Sequence, residues 1–361
     1  MKYDSIPQSH PLPETPRPIV AIGAGGIVRD AHQPAYRKAG FPVHGIFDLE
    51  KSRAADLASS FDIPRVYDSV EAAGDDAPAE AIFDVAVPAS ALPDLLPHLP
   101  DEASVLIQKP LGENLAEAIV LRDLCRTKRL TAAVNFQQRF APFVIAARHL
   151  IETGAIGELH SLDLRVTVHT PWHLWSFLQG IPRLEILYHS IHYIDLVRSF
   201  FGEPNGIYAK TTRHPACPDL AATRTGILFD YGEMVAANIV TTHGHDFGHR
   251  HQESYIRWEG TTGAIVARMG VLMDYPRGTD DLLEICRHGK QGPESWEQIP
   301  LQGTWFPDAF IGTMASLMNH VDDPTNDLPT HYEDAFRTMA VVEAAYESSA
   351  TGGTPIPATP T

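Results

Sequence analysis

The sequence predicts an α/β protein that has a doubly wound parallel sheet, followed by an α/β domain with a large, open, mostly antiparallel sheet. Two observations support this fold class. Before Pro142, short apolar runs alternate with helical segments, which is typical of a parallel sheet buried on both faces. After Pro142, alternating segments follow one another with turn signals between them. The 361 residues are enough for about two domains.

Each strand of the first sheet is predicted from an apolar run bounded by helical or turn sequence. These runs are 18–23, 43–47, 80–87, 104–108 and 130–135. The first predicted helix begins at Ile27, and three more cover 51–61, 90–99 and 115–129. The alternation of strand and helix predicts a Rossmann domain over residues 18–141.

The second part opens with a predicted helix at 143–153. Its predicted strands are 159–169, 206–212, 224–229, 234–242, 255–259 and 282–287, and its predicted helices are 184–201, 308–321 and 331–349. These elements predict an α/β domain over 142–350. The ends, 1–17 and 351–361, are rich in proline, and we expect both to be flexible tails.

Composition argues against several classes of function. The formal net charge of −17 disfavours binding to nucleic acid or to anionic membrane surfaces. There is no apolar run of eighteen residues, so we expect no transmembrane helix, and the N-terminal segment lacks the apolar core of a secretory signal. The three cysteines are widely spaced and form neither a metal pattern nor a disulfide framework, which is typical of the cytoplasm.

A glycine turn follows the first strand and opens a helix, in the sequence Gly23-Ala24-Gly25-Gly26-Ile27-Val28. Gly23 permits a tight turn, and Gly25 lets the backbone approach a pyrophosphate. Asp48 stands at the end of the second strand, where a carboxylate accepts hydrogen bonds from the ribose hydroxyls and repels a 2′-phosphate. The pattern therefore predicts NAD as cofactor, in preference to NADP. The alternative is a glycine-rich turn followed by a helix-capping aspartate.

Gln108, Lys109 and Pro110 follow the fourth strand, at the edge of the sheet where ligands bind in doubly wound folds. A lysine at this edge can contact both a substrate and the nicotinamide ring. The charge of that ring would lower the pKa of Lys109 and make it a proton acceptor. This tripeptide alone favours an exposed lysine before a turn.

The chain resembles the Gfo/Idh/MocA family, which includes glucose–fructose oxidoreductase and inositol dehydrogenase, from residue 19 to about residue 350. The resemblance implies a Rossmann domain, an α/β domain whose open sheet often forms dimers and tetramers, and NAD(P)-linked chemistry on sugars and cyclic polyols. Gln108 stands where the family usually has Glu. The matching segments are IGAGGIVRDAH, GIFDLEKSRA, QKP, VNFQQRFAP, SIHYIDLVRSFFG and EDAFRTMAVVEAAYESS.

The resemblance assigns a catalytic role to His192, which matches the family's histidine. Tyr188 stands where the family has an aspartate, and spacing places it on the same helical face as His192. We predict that Lys109 and His192 exchange the proton of a substrate hydroxyl, with Tyr188 sharing in proton transfer or in orienting the substrate. Without the resemblance, the residues alone favour the alternative that Tyr188, His189 and His192 are buried structural polar groups in a helix between the domains.

The predicted NAD-binding residues lie in the glycine turn and after the strands of the first sheet. They are Gly23, Gly25, Gly26, Ile27, Asp48, Leu49, Arg53, Val87, Pro88, Gln108, Lys109, Asn135 and Gln137. The predicted substrate-binding residues are Lys109, Arg139, Trp172, His173, Trp175, Tyr188, His189 and His192. For Arg139 a structural role joining the domains competes with anion binding, and for the two tryptophans a place in the core competes with a sugar-stacking surface.

Histidines recur between His243 and His251, four of them with Asp246. Such a run could bind Zn²⁺ or Ni²⁺. Its glycines and its lack of helical ligand spacing favour a loop that is solvated or near the substrate, so no metal site is predicted.

The sequence as a whole predicts an NAD-dependent dehydrogenase of a sugar, glycoside or cyclic polyol that forms a homodimer or homotetramer through its second sheet. One alternative is an NAD-dependent glycosidase that oxidises its substrate transiently, eliminates the aglycone and returns the hydride. The other is a regulator that binds NAD or sugar without catalysis.

Overall fold

A computed structural model describes residues 3, 5–274 and 277–357 of the chain. Its first sheet has five parallel strands in the order β2-β1-β3-β4-β5. In chain order they are β1 (Ile19–Ile22), β2 (Val43–Phe47), β3 (Ile82–Val85), β4 (Ser104–Ile107) and β5 (Thr131–Val134). Each lies within a predicted apolar run, and nearly all of their residues are buried. The carboxyl ends of all five strands therefore meet at one edge.

The helices of this part are α1 (Gln33–Ala39), α2 (Lys51–Phe61), α3 (Val70–Asp76), α4 (Leu92–Leu95) and α5 (Leu115–Thr127). A π-helical turn, Val28–His32, precedes α1. The predicted helix at 90–99 is interrupted, because Pro93 and Pro97 stand at the starts of two separate short helices. Helix α3 was not predicted from the sequence, and the Ser69 side chain caps it.

The second sheet is mixed and mostly antiparallel, as predicted. Its order is β13-β12-β11-β10-β6-β9-β8-β7, with β14 beside β12, and the β6–β9 pair is parallel. Strand β11 is the unpredicted partner of β10 in a hairpin. The strands are β6 (Leu159–Thr167), β7 (Gly206–Thr212), β8 (Arg224–Asp230), β9 (Ala236–Thr242), β10 (Glu253–Gly260), β11 (Gly263–Arg268), β12 (Leu282–Gly289), β13 (Gly292–Pro293) and β14 (Glu297–Gln298).

Four further α-helices belong to the described second part: α6 (Pro142–Glu152), α7 (Ile191–Phe201), α8 (Asp308–Asp322) and α9 (Tyr332–Thr351). A π-helical segment, Glu185–Ser190, leads directly into α7. Helix α8 returns to the first sheet, where Phe310 and Met314 share a buried cluster with Ile19 and Ile82. The two sheets are thus joined by packing as well as by the chain.

The N-terminal segment makes contacts that a free tail would lack. The Gln8 side chain is buried, donates to the Pro300 carbonyl oxygen and accepts from the Gln302 N–H group. Arg17 forms an ion pair with Asp322. Residues 5–17 therefore lie along the second part, because their polar groups find partners there. Within the described ranges, the helices fall short of the length and apolar character that crossing a membrane requires.

Candidate active site

The glycine turn after β1 is shaped for close approach by a ligand. Gly23 has φ +112°, and a Cβ atom there would lie 2.4 Å from the Ala86 carbonyl oxygen, so only glycine fits. A Cβ atom at Gly25 would meet nothing within 4 Å, so the turn is open on that side. Gly26 and Ile27 lead from the turn into the π-helical turn. This opening fits the diphosphate of a dinucleotide.

Asp48 follows β2 and turns its carboxylate toward the glycine turn. Its Oδ2 atom accepts a 2.7 Å hydrogen bond from the Ala24 N–H group, and its Oδ1 atom accepts one of 2.8 Å from Glu50 N–H. The carboxylate therefore braces the turn. It also stands where an acid in this fold meets the ribose of the cofactor.

The other residues predicted at the adenosine end line the same edge of the sheet. Leu49 is 94% exposed, and Arg53 forms a 2.7 Å ion pair with Glu50. Val87 is partly buried and Pro88 is exposed, directly after β3. Their contacts with a cofactor stay a prediction.

A buried polar network under the glycine helix was missed by the sequence reasoning. His32 Nδ1 lies 2.7 Å from Asp84 Oδ2, which also accepts a 2.9 Å bond from the Tyr36 hydroxyl. Because the His32 Nδ1–H group donates to Asp84, His32 Nε2 accepts from the amides of Gln108 at 3.2 Å and Asn135 at 3.3 Å. Only the order of the strands brings these residues together, so no local pattern reveals them.

This network reaches the backbone of Lys109. Gln108 Oε1 accepts a 2.8 Å hydrogen bond from Lys109 N–H, while the amide of Gln108 donates to His32. The amide of Gln108, which replaces the family's usual carboxylate, therefore both donates and accepts a hydrogen bond. Asn135 Oδ1 and Gln137 Oε1, which follow β5, are buried and lack hydrogen-bond partners among the described residues. Those free acceptors suit an amide donor such as that of nicotinamide.

The Lys109 side chain lies at the carboxyl end of β4. Its Nζ atom donates a 2.5 Å hydrogen bond to the backbone carbonyl oxygen of Tyr188. Burial lowers the pKa of this amine from its usual value of 10.5 to about 8. The amine therefore loses its proton far more readily than a surface lysine.

His192 is buried in the first turn of α7 and lies edge-on to the ring of Phe136. Burial holds its pKa well below the usual value, and the charge of Lys109 lowers it further. The same causes, with the charge of His243, lower the pKa of His189. The structure thus brings Lys109 and both predicted histidines close enough to interact electrostatically.

Tyr188 is near the site, but its hydroxyl group turns elsewhere. It donates a 3.3 Å hydrogen bond to Glu113 Oε1, and its ring packs against Phe177. Burial, with the charge of Glu113, raises the pKa of Tyr188. No contact of its hydroxyl with Lys109 or His192 is seen in the described structure, so the predicted sharing of proton transfer lacks support. The backbone of Tyr188, rather than its side chain, meets the lysine.

The contacts of Arg139 favour its structural role over anion binding. Its Nε and Nη2 atoms each lie 2.6 Å from an oxygen of Asp195, and Nη2 also pairs with Asp334. Nη1 donates to the Pro329 carbonyl oxygen. All three nitrogen atoms are engaged within the protein. Arg139 therefore joins the short 3₁₀ helix after β5 to α7 and α9.

The aromatic segment before the site is partly buried. Trp172 and Trp175 lie edge to face, with ring centres 6.5 Å apart, while His173 is exposed. Trp172 also packs on the His243 ring at 5.3 Å. The tryptophans stand against a small apolar cluster that includes Leu178 and Leu184. Their contact with a substrate stays a prediction.

The histidine run divides into buried and exposed members. His243 is buried beside Glu185, with 3.4 Å between His243 Nε2 and Glu185 Oε1. His249 and His251 are exposed, and His249 pairs with Asp274. Glu185 was not predicted as a functional residue, although its position four residues before His189 is a signal that spacing could have revealed.

The order of the strands and the glycine turn after β1 are those of a dinucleotide-binding α/β fold. The chain belongs to the Gfo/Idh/MocA family. Residues 18–136 match the model of the oxidoreductase family with NAD-binding Rossmann fold, and residues 148–357 match that of its C-terminal α/β domain. The first domain is therefore an NAD-binding Rossmann domain.

Curated relatives share part of this chain. D-apiose dehydrogenase of Rhizobium rhizogenes is 24% identical over 262 residues, which cover 69% of this chain and 71% of that protein. The uncharacterized oxidoreductase YhhX of Escherichia coli is 29% identical over 143 residues, or 39% of this chain. The matched segment spans 40% of YhhX.

Solved structures share the fold over nearly the whole chain. An oxidoreductase from Agrobacterium radiobacter in complex with NAD⁺, L-tartaric acid and magnesium has a TM-score of 0.78 at 21% identity, covering 94% of this chain and 98% of that one. Levoglucosan dehydrogenase in complex with NADH and levoglucosan has a TM-score of 0.74 at 18% identity, covering 93% and 98%. At these identities the likeness shows the fold alone.

Proposed function

We propose that this protein is an NAD-dependent dehydrogenase that acts on a hydroxyl group of a sugar, glycoside or cyclic polyol. The observation that carries this proposal is the Lys109 amine, whose pKa burial lowers to about 8, lying within electrostatic reach of His192. Such an amine is partly neutral near physiological pH and can accept the proton of an alcohol. The names of D-apiose dehydrogenase and levoglucosan dehydrogenase support a carbohydrate substrate.

Bound NAD supplies the acceptor for the hydride that leaves the carbinol carbon. Lys109 Nζ takes the hydroxyl proton, and the Tyr188 carbonyl oxygen stabilises the resulting ammonium. His192 is neutral, and its Nδ1 atom has no hydrogen-bond partner in the described structure, so it is available to orient the hydroxyl group. The His32 network holds the backbone before Lys109 in place.

The preference for NAD over NADP rests on the charge of Asp48 and on the ion pairs that the nearby Lys51 and Arg53 form. A carboxylate beside the ribose repels a 2′-phosphate. Lys51 and Arg53 could offset that repulsion, but Lys51 pairs with Asp68 and Arg53 pairs with Glu50. These pairs leave the charge of Asp48 dominant at the site.

Assembly through the second sheet and a cytoplasmic location remain part of the proposal. Tyr208 and Leu228 are opposite each other on β7 and β8 and are 65% and 58% exposed. Exposed apolar side chains on an open sheet face favour association of two copies. The three cysteines, Cys125, Cys217 and Cys286, are free, as in a reducing compartment.

The test is a screen of sugars, inositols and glycosides with NAD, following NADH formation, with Lys109→Ala as the matched inactive control. Net NADH formation that depends on Lys109 supports the dehydrogenase. A chromogenic glycoside that releases its aglycone without accumulation of NADH would instead show a redox-neutral glycosidase. Tight binding of NAD with no turnover of any substrate would indicate a regulator.

A further inference from the structure

A buried cluster of three ligating side chains lies beside the proposed reaction site. Glu185 opens the π-helical segment, His189 follows it by four residues, and His243 comes directly after β9. One donor atom from each lies within 4.8 Å of the others. Glu185 Oε1 is 3.4 Å from His243 Nε2 and 3.8 Å from His189 Nδ1. Two imidazoles therefore face one carboxylate.

Two donor atoms of the cluster are without a partner in the described part of the chain, while Glu185 Oε1 lies 3.4 Å from His243 Nε2. Glu185 is 1% exposed, and both its Oε2 atom and His189 Nδ1 are buried without a hydrogen-bond partner among the described residues. A buried carboxylate is costly unless positive charge and hydrogen bonds compensate it. Ser190 supplies one hydrogen bond to Oε1, at 2.6 Å. A cation between the three side chains would supply the charge.

The outer contacts resemble those that orient metal-binding histidines. His243 Nδ1 lies 2.9 Å from the Thr170 hydroxyl group, which leaves Nε2 directed at Glu185. Histidines that bind metals commonly bond through their second ring nitrogen in this way. The rings of His189 and His243 stand edge to face with centres 4.1 Å apart, and one nitrogen atom of each lies within 4.8 Å of the other.

We propose that Glu185, His189 and His243 bind one divalent transition-metal ion, with Zn²⁺ as the best match. Two histidines and one glutamate form a recurrent zinc ligand set that leaves a coordination position open. Ligand atoms about 2.0–2.2 Å from such an ion lie roughly 3.3 Å apart, so small side-chain rotations would close the present separations. Spacing along the chain gives no reason to pair His243 with Glu185, and the site therefore differs from the one that the histidine run could have formed by itself.

The position of the cluster suggests what the ion does. His189 lies one helical turn before His192, and the charge of Lys109 acts on both imidazoles. An ion held by His189 would bind a second oxygen of the substrate, next to the hydroxyl group that loses its proton. This catalytic role rests on the proposed function, whereas metal binding itself does not.

The experiment uses the full chain after removal of metals with a chelator. Titration with Co²⁺ is followed by visible absorption, and titration with Zn²⁺ by calorimetry. We expect one ion per chain and the intense absorption of low-coordinate Co²⁺. Glu185→Gln and His189→Gln should each weaken binding roughly tenfold or more, and Thr170→Val should weaken it about 10–100-fold through His243.

His251→Ala is the matched control, because His251 belongs to the exposed part of the histidine run. It should bind Co²⁺ as the unmodified chain does. Thermal melts establish that each variant is folded, and His189→Gln, at the less buried of the two positions, provides a second variant if Glu185→Gln does not fold. Absence of stoichiometric binding, or loss of binding in His251→Ala with retention in folded His189→Gln, would overturn the proposal. Because Co²⁺ absorption needs no substrate, failure of the proposed dehydrogenase activity would leave this result unaffected.

Discussion

The Lys109 amine donates a 2.5 Å hydrogen bond to the backbone carbonyl oxygen of Tyr188. This bond joins the carboxyl end of β4 in the Rossmann domain to the π-helical segment that leads into α7 and His192. It places a buried amine where the two parts of the chain meet. The catalytic proposal depends on that placement.

Replacing Lys109 separates catalysis from cofactor binding. Lys109→Ala removes the proposed proton acceptor and leaves the glycine turn and Asp48 intact, so we expect turnover to fall by about 10²–10⁴-fold. Binding of NAD, measured by calorimetry, should be retained. Activity within severalfold of the unmodified protein would show that Lys109 does not carry the proton.

The pH dependence of oxidation follows from the lowered pKa of Lys109. The neutral amine accepts the proton, and its fraction grows as the pH rises through about 8. The value of kcat/KM for alcohol oxidation should therefore rise with pH below that point and level off above it. Reduction of the carbonyl product requires the ammonium form and should fall over the same range. A profile for oxidation that stays flat between about pH 6 and 10 argues against this assignment.

Asp48 should determine the choice of cofactor. Asp48→Ala removes hydrogen bonds to the ribose, so we expect the Kd for NAD to rise roughly tenfold or more, with a smaller rise for NADP because repulsion is also lost. Asp48→Asn is the matched control, since its amide oxygen can still accept the Ala24 hydrogen bond while the charge is gone. Equal weakening of both cofactors in Asp48→Ala would refute the ribose assignment.

Arg139 should matter for stability and not for substrate binding. Arg139→Ala leaves Asp195 buried without its partner, so the free energy of unfolding should fall by about 3–5 kcal/mol in urea titrations. Arg126→Ala breaks an exposed ion pair with Glu333 and should change stability far less. If folded Arg139→Ala retains its stability but loses affinity for substrate, the structural assignment is wrong.

Hydrophobic patterning predicted most of the strands, because a parallel strand that is buried on both faces needs an unbroken apolar run. It predicted most of the helices because a helix that packs on the sheet needs an amphipathic sequence. Strand β11 escaped because it begins at Gly263 and its apolar stretch, 264–267, is short and does not alternate with polar residues. The helix at 90–99 was too long as predicted, since Pro93 and Pro97 divide it. In both cases a glycine or a proline changes the backbone locally, and hydrophobic patterning does not detect that change.

The positions of Gly23 and Lys109 could be predicted, because each follows directly from the end of its own strand. A residue was missed where its role depends on a distant partner. His32 lies 76 residues from Gln108 in sequence, and Glu185 lies 58 residues from His243. For Arg139 the sequence left a structural role and anion binding open, because Asp195 and Asp334, which engage its guanidinium group, belong to separate helices.

The most direct test of the central claim asks whether the Lys109 amine and the His192 imidazole lie together, and it needs no substrate. Nuclear magnetic resonance of histidine-labelled protein, with the His192 signal assigned through His192→Gln, reports the charge near that ring. We predict that the His192 signal shifts with a midpoint at about pH 8, as Lys109 titrates, and that this shift is absent in Lys109→Met. A His192 signal that does not change through pH 8, or that changes equally in Lys109→Met, would contradict the account.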